Sequence, residues 1–174
     1  MNTIGEQIGQ LAGEAVAEGR LTESRLTRGL ITREMLHKLE DGSIPADIRL
    51  VRVLLQRLGK SPNKLEFILS QDDLKIKSEQ LAFDDSINRH DSKTAIKTLN
   101  LLESNAPIPG NEKIAEMYAL WNRACYEMYF EKDYDAALEH IDAALEVTLP
   151  KWKEKGLSYF AVSSIETDNL LAYC

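Results

Sequence analysis

Apolar side chains recur every three or four positions along most of this 174-residue chain, the spacing that lines them up on one face of an α-helix. The pattern predicts a first helix over residues 3–18, closed by Gly19. Two short helices follow, and each is preceded by a threonine that can cap a helix start, Thr22 and Thr32. The chain is therefore predicted to be all-α.

Two further helices complete the first part of the chain. Pro45 introduces the fourth helix, where its missing N–H does no harm. Ser61 and Pro62 mark the start of a fifth helix, because a cap residue is followed by a first-turn proline. We predict that residues 1–70 form one domain of five short helices.

Residues 71–174 are predicted to form a second domain built from paired helices. A last helix begins at Ser163 or Ser164, and Ser163 with Glu166 has the spacing of a capping box. The other helices form two hairpins, and they are expected over about residues 73–87, 92–102, 111–130 and 135–147.

The segment ITREMLHKLEDG, residues 31–42, resembles the recognition helix of the Cro-like, or Xre, repressors, including the family's E-N/D-G ending. The segment LLQRLGKSPNKLE, residues 54–66, resembles a subgroup with tetratricopeptide-type (TPR) repeats behind the DNA-binding domain. This subgroup includes peptide-sensing regulators of Gram-positive bacteria. The resemblance covers roughly the first 70 residues. It implies a five-helix, lambda-repressor-like helix-turn-helix domain followed by TPR-like hairpins.

The second helix pair resembles the TPR pattern, and a generic helical hairpin is the alternative. Trp121 falls on the Trp position of that pattern, and we expect it to be largely buried between repeat helices. Regulators of this type are usually longer, so the repeat array can be truncated here. The other positions that fit the pattern are Ala124, Cys125, Ala137, Ala144 and Pro150.

The net charge of −7 is spread unevenly. Residues 1–70 hold 10 Lys/Arg and 9 Asp/Glu, whereas residues 71–174 hold 11 and 19, so the acidity lies in the second part. A nearly neutral domain binds DNA when its basic groups cluster on one face. The residues that would form such a face, or else an ordinary solvated surface, are Arg20, Arg25, Arg28, Arg33, Lys38, Arg49 and Arg52.

The resemblance assigns roles to individual residues. Arg33, Glu34 and Lys38 would face base edges, where Arg and Lys favour guanine and Glu accepts from cytosine. Thr32 would hold a phosphate through its hydroxyl and the helix N-terminus. The full set of expected DNA backbone contacts is Thr22, Arg28, Thr32, His37 and Arg49.

The residues that support catalysis or metal binding do not form a recognisable pattern in this sequence. The three histidines lack the spacing of a zinc helix, and no glycine-rich phosphate loop is present. Only two cysteines occur, the first residues do not resemble a signal peptide, and no apolar run approaches the ~20 residues that a membrane span needs. We therefore expect a cytoplasmic protein that is not an enzyme and needs no cofactor or metal.

Two functions remain open at this point. The first is a sequence-specific transcriptional regulator that binds double-stranded operator DNA as a homodimer, with repeats that serve dimerisation and the sensing of a peptide or protein partner. The second is a protein- or peptide-interaction module whose helix-turn-helix does not read DNA. Glu34 in a reading position and the overall acidity favour the second. The operator, the ligand and the sign of regulation do not follow from the sequence.

Overall fold

The computed structural model describes residues 4–44, 47–61, 71–105, 107 and 110–173. Every regular element within these ranges is helical, which confirms the prediction of an all-α protein. The four helices of the first part are α1 Ile4–Ala17, α2 Glu23–Thr27, α3 Arg33–Glu40 and α4 Ile48–Arg57. The predicted fifth helix falls on residues 62–70, and both it and Pro45 lie outside the described residues.

Side-chain caps set the starts of α2, α3 and α4. The hydroxyl of Thr22 accepts a hydrogen bond from the backbone N–H of Arg25, and that of Thr32 accepts from Met35. Both predicted caps are thus confirmed. Asp47 caps α4 in the same way, because its carboxylate accepts a hydrogen bond from the N–H of Arg49. The start of this helix was predicted from Pro45, and Asp47 was not identified as its cap.

The second part contains the two predicted hairpins. The first joins α5 Gln71–Asn88 to α6 Ser92–Ser104. The second joins α7 Glu112–Tyr126 to α8 Tyr134–Thr148, and α7 continues into a π-helical turn, Glu127–Glu131. Small side chains let α7 and α8 approach closely. The buried alanines of these two helices include Ala124, Ala137 and Ala144.

The end of the described chain packs back onto both parts. It forms a short helix, α9 Trp152–Lys155, a 3-10 turn, Leu157–Tyr159, and a last helix, α10 Ser164–Tyr173. Helix α10 lies against α8 and also contacts α4. The predicted capping box is confirmed, because Ser163 Oγ accepts from the N–H of Glu166 and the Glu166 carboxyl accepts from the N–H of Ser163.

One apolar core connects the first four helices to the second part. Ile114, Met117 and Tyr118 of α7 lie in the same buried cluster as residues of α1, α3 and α4. A polar contact joins the two parts as well, since the Asp73 carboxylate accepts a hydrogen bond of 3.0 Å from the N–H of Ile48. The position of α3 therefore depends on helices that are distant in sequence.

Trp121 packs at the edge of a cluster formed by α7, α8 and the segment that follows α8. Most of its surface is covered, but part of it stays exposed to solvent. Tyr118 and Met117, which precede it on α7, enter the core.

Candidate functional site

Helix α3 presents a polar face to solvent. Leu36 and Leu39 point into the core with 0% and 1% of their surface exposed. The side chains between them belong to the opposite face, because positions three and four apart share one side of a helix. The exposed residues at the start of α3 and along this face are Thr32, Arg33, Glu34, His37 and Lys38.

Close backbone packing fixes the inner side of α3. A Cβ atom at Gly5 would lie 1.7 Å from the carbonyl oxygen of Leu39, so α1 and α3 approach more closely than any larger residue allows. On another side, a Cβ at Gly110 would lie 2.4 Å from the Cε of Met35. The exposed face of α3 is thus presented by a rigidly seated helix.

Two hydrogen-bonded pairs organise the charges on α3. Lys38 Nζ donates to Glu34 Oε1 over 2.7 Å, and this hydrogen bond lowers the pKa of the Glu34 carboxyl below its ordinary value. His37 Nδ1 lies 2.9 Å from Glu40 Oε2, and the contact raises the pKa of His37. Among the described residues, none forms an ion pair with Arg33. Arg33 is therefore the cation on this face that is ready to meet an external anion.

Arg28 is engaged by the C-terminal segment. Its guanidinium carbon lies 3.7 Å from the centre of the Tyr159 ring, and Nη1 donates to the Tyr159 carbonyl oxygen. Nη2 donates to the hydroxyl of Ser24 over 3.0 Å. A phosphate contact by Arg28 would have to compete with the aromatic ring and both hydrogen bonds.

Arg49 is directed away from solvent. Only 7% of its surface is exposed, and its guanidinium forms a two-nitrogen contact with the buried carboxylate of Asp47. Breaking such a pair would leave an unpaired buried charge. Arg49 is therefore not part of the exposed surface formed by α3 and the N-terminus of α2, and the expectation that it contacts a DNA backbone is wrong.

The sequence reading missed Arg57, which is the most extensively bonded side chain between the two parts. Its side chain is fully buried and pairs with Glu166. A signal for its burial was present, because Arg57 follows Leu50, Val53 and Leu54 at helical spacing on the apolar face of α4. Nothing in that pattern identifies the partner on α10.

A cleft lies between α5 and α7. It has a volume of about 220 Å³, with aromatic and amide groups in its lining. The amide of Asn122 exchanges two hydrogen bonds of 3.0 Å with Gln80 across these helices. The partly exposed Trp121 and the exposed Tyr129 stand at this cleft, which gives it an apolar wall that solvent can reach.

Residues 4–44, 47–61, 71–105 and 110–173 offer little support for a metal site, a reactive cysteine or a membrane-spanning helix. No group of three or more His, Cys, Asp or Glu in these ranges has an arrangement that holds a metal ion. Burial raises the pKa of the Cys125 thiol to about 12, so at neutral pH it is not a reactive thiolate. Across the same ranges, no helix has the length and apolarity that a membrane span requires.

Comparison of the chain with protein-family models, with curated proteins and with solved structures finds no match in any of the three. Its function is therefore inferred from the site itself.

Proposed function

We propose that this chain is a sequence-specific DNA-binding transcriptional regulator that reads its operator with the exposed face of α3. One observation carries the proposal. A short helix with a buried apolar side, α3, shows solvent a row of polar side chains and is braced by α1 and α2. A helix held in this way has the form that enters the major groove of B-DNA.

Base reading is assigned to Arg33, Glu34 and Lys38. Arg33 has the length and the paired N–H groups to bond guanine O6 and N7 together. Glu34 and Lys38 neutralise each other in the free protein through their 2.7 Å contact. Exposed ion pairs of this kind contribute little to stability, so Lys38 can leave Glu34 when a base or phosphate is offered.

Backbone contacts are assigned to Thr22, Thr32 and His37, the exposed members of the expected set. Thr22 and Thr32 stand at the N-termini of α2 and α3, where backbone N–H groups and hydroxyls attract phosphate. His37 gains positive charge more readily because of Glu40. Arg28 would contribute only after leaving Tyr159.

The experiment that tests the proposal is a selection of bound sequences from a random double-stranded DNA pool, followed by fluorescence anisotropy on the enriched site. We expect one enriched motif, with half-sites related by a dyad if the protein binds as a homodimer. The logarithm of the affinity should fall linearly with the logarithm of salt concentration. A pool that shows no enrichment at low salt would contradict DNA reading.

The cleft between α5 and α7 favours a second candidate function, the binding of a peptide or protein partner. Its aromatic rings and amides are the groups that hold an extended chain through apolar contacts and hydrogen bonds. The chain has two tryptophans, of which Trp121 lines this cleft, and a Trp152→Phe variant would leave Trp121 as the only indole. A peptide library screened by the emission of that variant tests this function independently of DNA.

A further inference from the structure

A single buried guanidinium joins four separate pieces of the fold. Arg57 closes α4, and its Nη1 donates to the carbonyl oxygens of Leu26 at 3.0 Å and of Arg28 at 2.8 Å. Its Nη2 donates to the Thr148 carbonyl oxygen at 3.3 Å and to one carboxyl oxygen of Glu166. Nε donates to the other Glu166 oxygen at 3.2 Å. These five hydrogen bonds match the five N–H groups of a guanidinium.

The acceptors lie where helices end. Leu26 and Arg28 belong to the last turn and the C-cap of α2, and Thr148 is the last residue of α8. The carbonyl groups there lack helical partners and need donors when they are buried. Arg57 supplies those donors to both helices at once. The end of α2, from which the chain turns into α3, is therefore bonded to the same group as α8 and α10.

Glu166 completes the network from the C-terminal side. Its carboxyl group holds Arg57 and also accepts hydrogen bonds of 2.7 and 2.8 Å from the backbone N–H and the hydroxyl of Ser163. The start of α10 is thus formed by the same carboxylate that docks it. Undocking α10 would strand Arg57 as an unpaired charge in the core.

The turn after α2 is tightly enclosed by the same C-terminal segment. Gly29 has a φ of +79°, and a Cβ there would lie 1.9 Å from the Thr148 carbonyl oxygen. Arg25 donates to the Phe160 carbonyl oxygen at 3.0 Å, and Arg28 stacks on Tyr159. This enclosure leaves the turn little room to shift while α8 and the segment before α10 stay in place.

We propose that Arg57 and Glu166 form a conformational lock, in which docking of α10 holds the α2–α3 turn in its position. A buried charge pair of this kind has no stable half-broken state, because Arg57 without Glu166 is an unpaired charge among buried groups. The lock therefore opens as a unit. When α10 leaves, Arg57 loses the carboxylate that fixes its guanidinium, so its hydrogen bonds to the carbonyl groups at the end of α2 are no longer held in place, and the turn that presents α3 becomes mobile. A partner that captures undocked α10 would thereby loosen α3.

Hydrogen exchange of the full chain, followed by mass spectrometry, tests the lock. The variant is Glu166→Gln, and the matched control is Asp168→Asn, an exposed acid on the same helix. In Glu166→Gln we expect exchange to rise at least tenfold in α10 and by a similar factor at the amides of Leu30 and Ile31, which bond to Thr27 in the turn. Helix α6, which has no atom in the network, and the control should stay unchanged.

Each other outcome decides the matter too. Faster exchange in only one of the two regions, or in neither, would overturn the lock. If exchange also rises in α6, the variant is globally destabilised, and the wild-type protein is then measured at increasing sub-denaturing urea. The lock requires α10 and the α2–α3 turn to share one opening free energy and one urea dependence. Separate values for the two regions would overturn it.

The consequence for DNA rests on the proposed function. Glu166→Gln should bind the selected operator at least tenfold more weakly than Asp168→Asn, because α3 is no longer held in place. A wild-type protein that binds no DNA would contradict the proposed function while leaving the exchange result to decide the lock. Equal operator affinity of the two variants, combined with linked exchange, would separate the lock from DNA reading and overturn its regulatory part.

Discussion

Arg57 and Glu166 lie 109 positions apart in the sequence, yet they form an ion pair whose side chains are 0% and 1% exposed. The pair stands between the end of α4 and the first turn of α10. It connects the four helices of the first part with the last described helix of the second part. Because both groups are desolvated, the pair acts less as a source of stability than as a constraint on how the two parts fit.

The first prediction concerns the energetics of this pair. Arg57→Met should cost about 3–5 kcal/mol, since Glu166 would remain as an unpaired buried charge. Adding Glu166→Leu should restore part of that loss, because the orphaned carboxylate is then removed. Urea unfolding of the single and double variants measures both values.

The exposed pair Lys153 and Asp142 is the control for that cycle, and its side chains are 45% and 36% exposed. Lys153→Met should change stability far less than Arg57→Met, because solvent screens exposed ion pairs. Similar losses for the two Lys/Arg-to-Met variants would show that burial of Arg57 has no special energetic weight.

Local features of this fold were readable from the sequence. Helix bounds follow from apolar periodicity, and the caps at Thr22 and Thr32 follow from residue type and position. The capping box of Ser163 and Glu166 was readable for the same reason, since both partners lie within one turn. Each of these features depends on neighbours in the chain and needs no knowledge of the tertiary fold.

Long-range contacts were not readable in this way. Arg49 counted as a candidate for a phosphate contact, but the fold buries it against Asp47. Arg28 was also expected to contact a phosphate because of its positive charge. It stacks instead on Tyr159, 131 positions away. Helical spacing predicts whether a side chain lies on the inner or the outer face of its own helix. The spacing does not identify the element that packs against that face.

Arg33 is the subject of the second prediction. Arg33→Ala should weaken binding of the selected operator roughly 10- to 100-fold, and it should relax base preference at one position, as expected for loss of a two-point guanine contact. Anisotropy on the operator and on single-base variants gives both readouts. Arg89→Ala, an exposed arginine in the turn after α5, is the matched control and should leave the affinity unchanged.

A general loss of affinity in Arg33→Ala, with the same base preference at every position, would assign Arg33 to the phosphate backbone. In that case the slope of the logarithm of affinity against the logarithm of salt concentration should become shallower by about one, which corresponds to the loss of one phosphate contact. An unchanged affinity would exclude Arg33 from the interface.

The third prediction concerns pH. The contact with Glu40 raises the pKa of His37 above its ordinary value of 6.5, so the folded state binds this proton more tightly than the unfolded chain. The stabilisation that follows is fully present below pH 6.5 and is lost as the pH rises through the raised pKa. Operator affinity should fall over the same range, because His37 loses its positive charge beside the DNA.

NMR titration of the His37 ring measures this pKa directly. Glu40→Gln should lower the His37 pKa and remove the matching step in operator affinity. A His37 titration curve that is the same with and without Glu40 would contradict the assigned cause.

Gly29 and Gly42 provide a matched pair for the fourth prediction. Both have positive φ, +79° and +74°, but a Cβ at Gly42 meets no atom within 4 Å, whereas one at Gly29 meets the Thr148 carbonyl oxygen. Gly42→Ala should cost about 1–2 kcal/mol of backbone strain. Gly29→Ala should cost a further 1–3 kcal/mol or so, because α8 has to shift. Equal losses in urea unfolding would show that the close approach at Gly29 is easily relieved.

The last prediction concerns assembly through α10. Leu171 is 71% exposed, while its neighbour Leu170 is half-buried against the cluster around α8. If the protein forms a homodimer through this helix, Leu171→Glu should dissociate it with little effect on the stability of the monomer, because exposed substitutions usually change stability by about 0.5 kcal/mol or less. Leu170→Glu should instead destabilise the fold. Sedimentation measures the mass, and Leu81→Glu, an exposed leucine on α5, is the control. A wild-type monomer at high micromolar concentration, with Leu171→Glu behaving identically, would refute dimerisation through α10, and a Leu170→Glu variant of unchanged stability would refute its packing on α8.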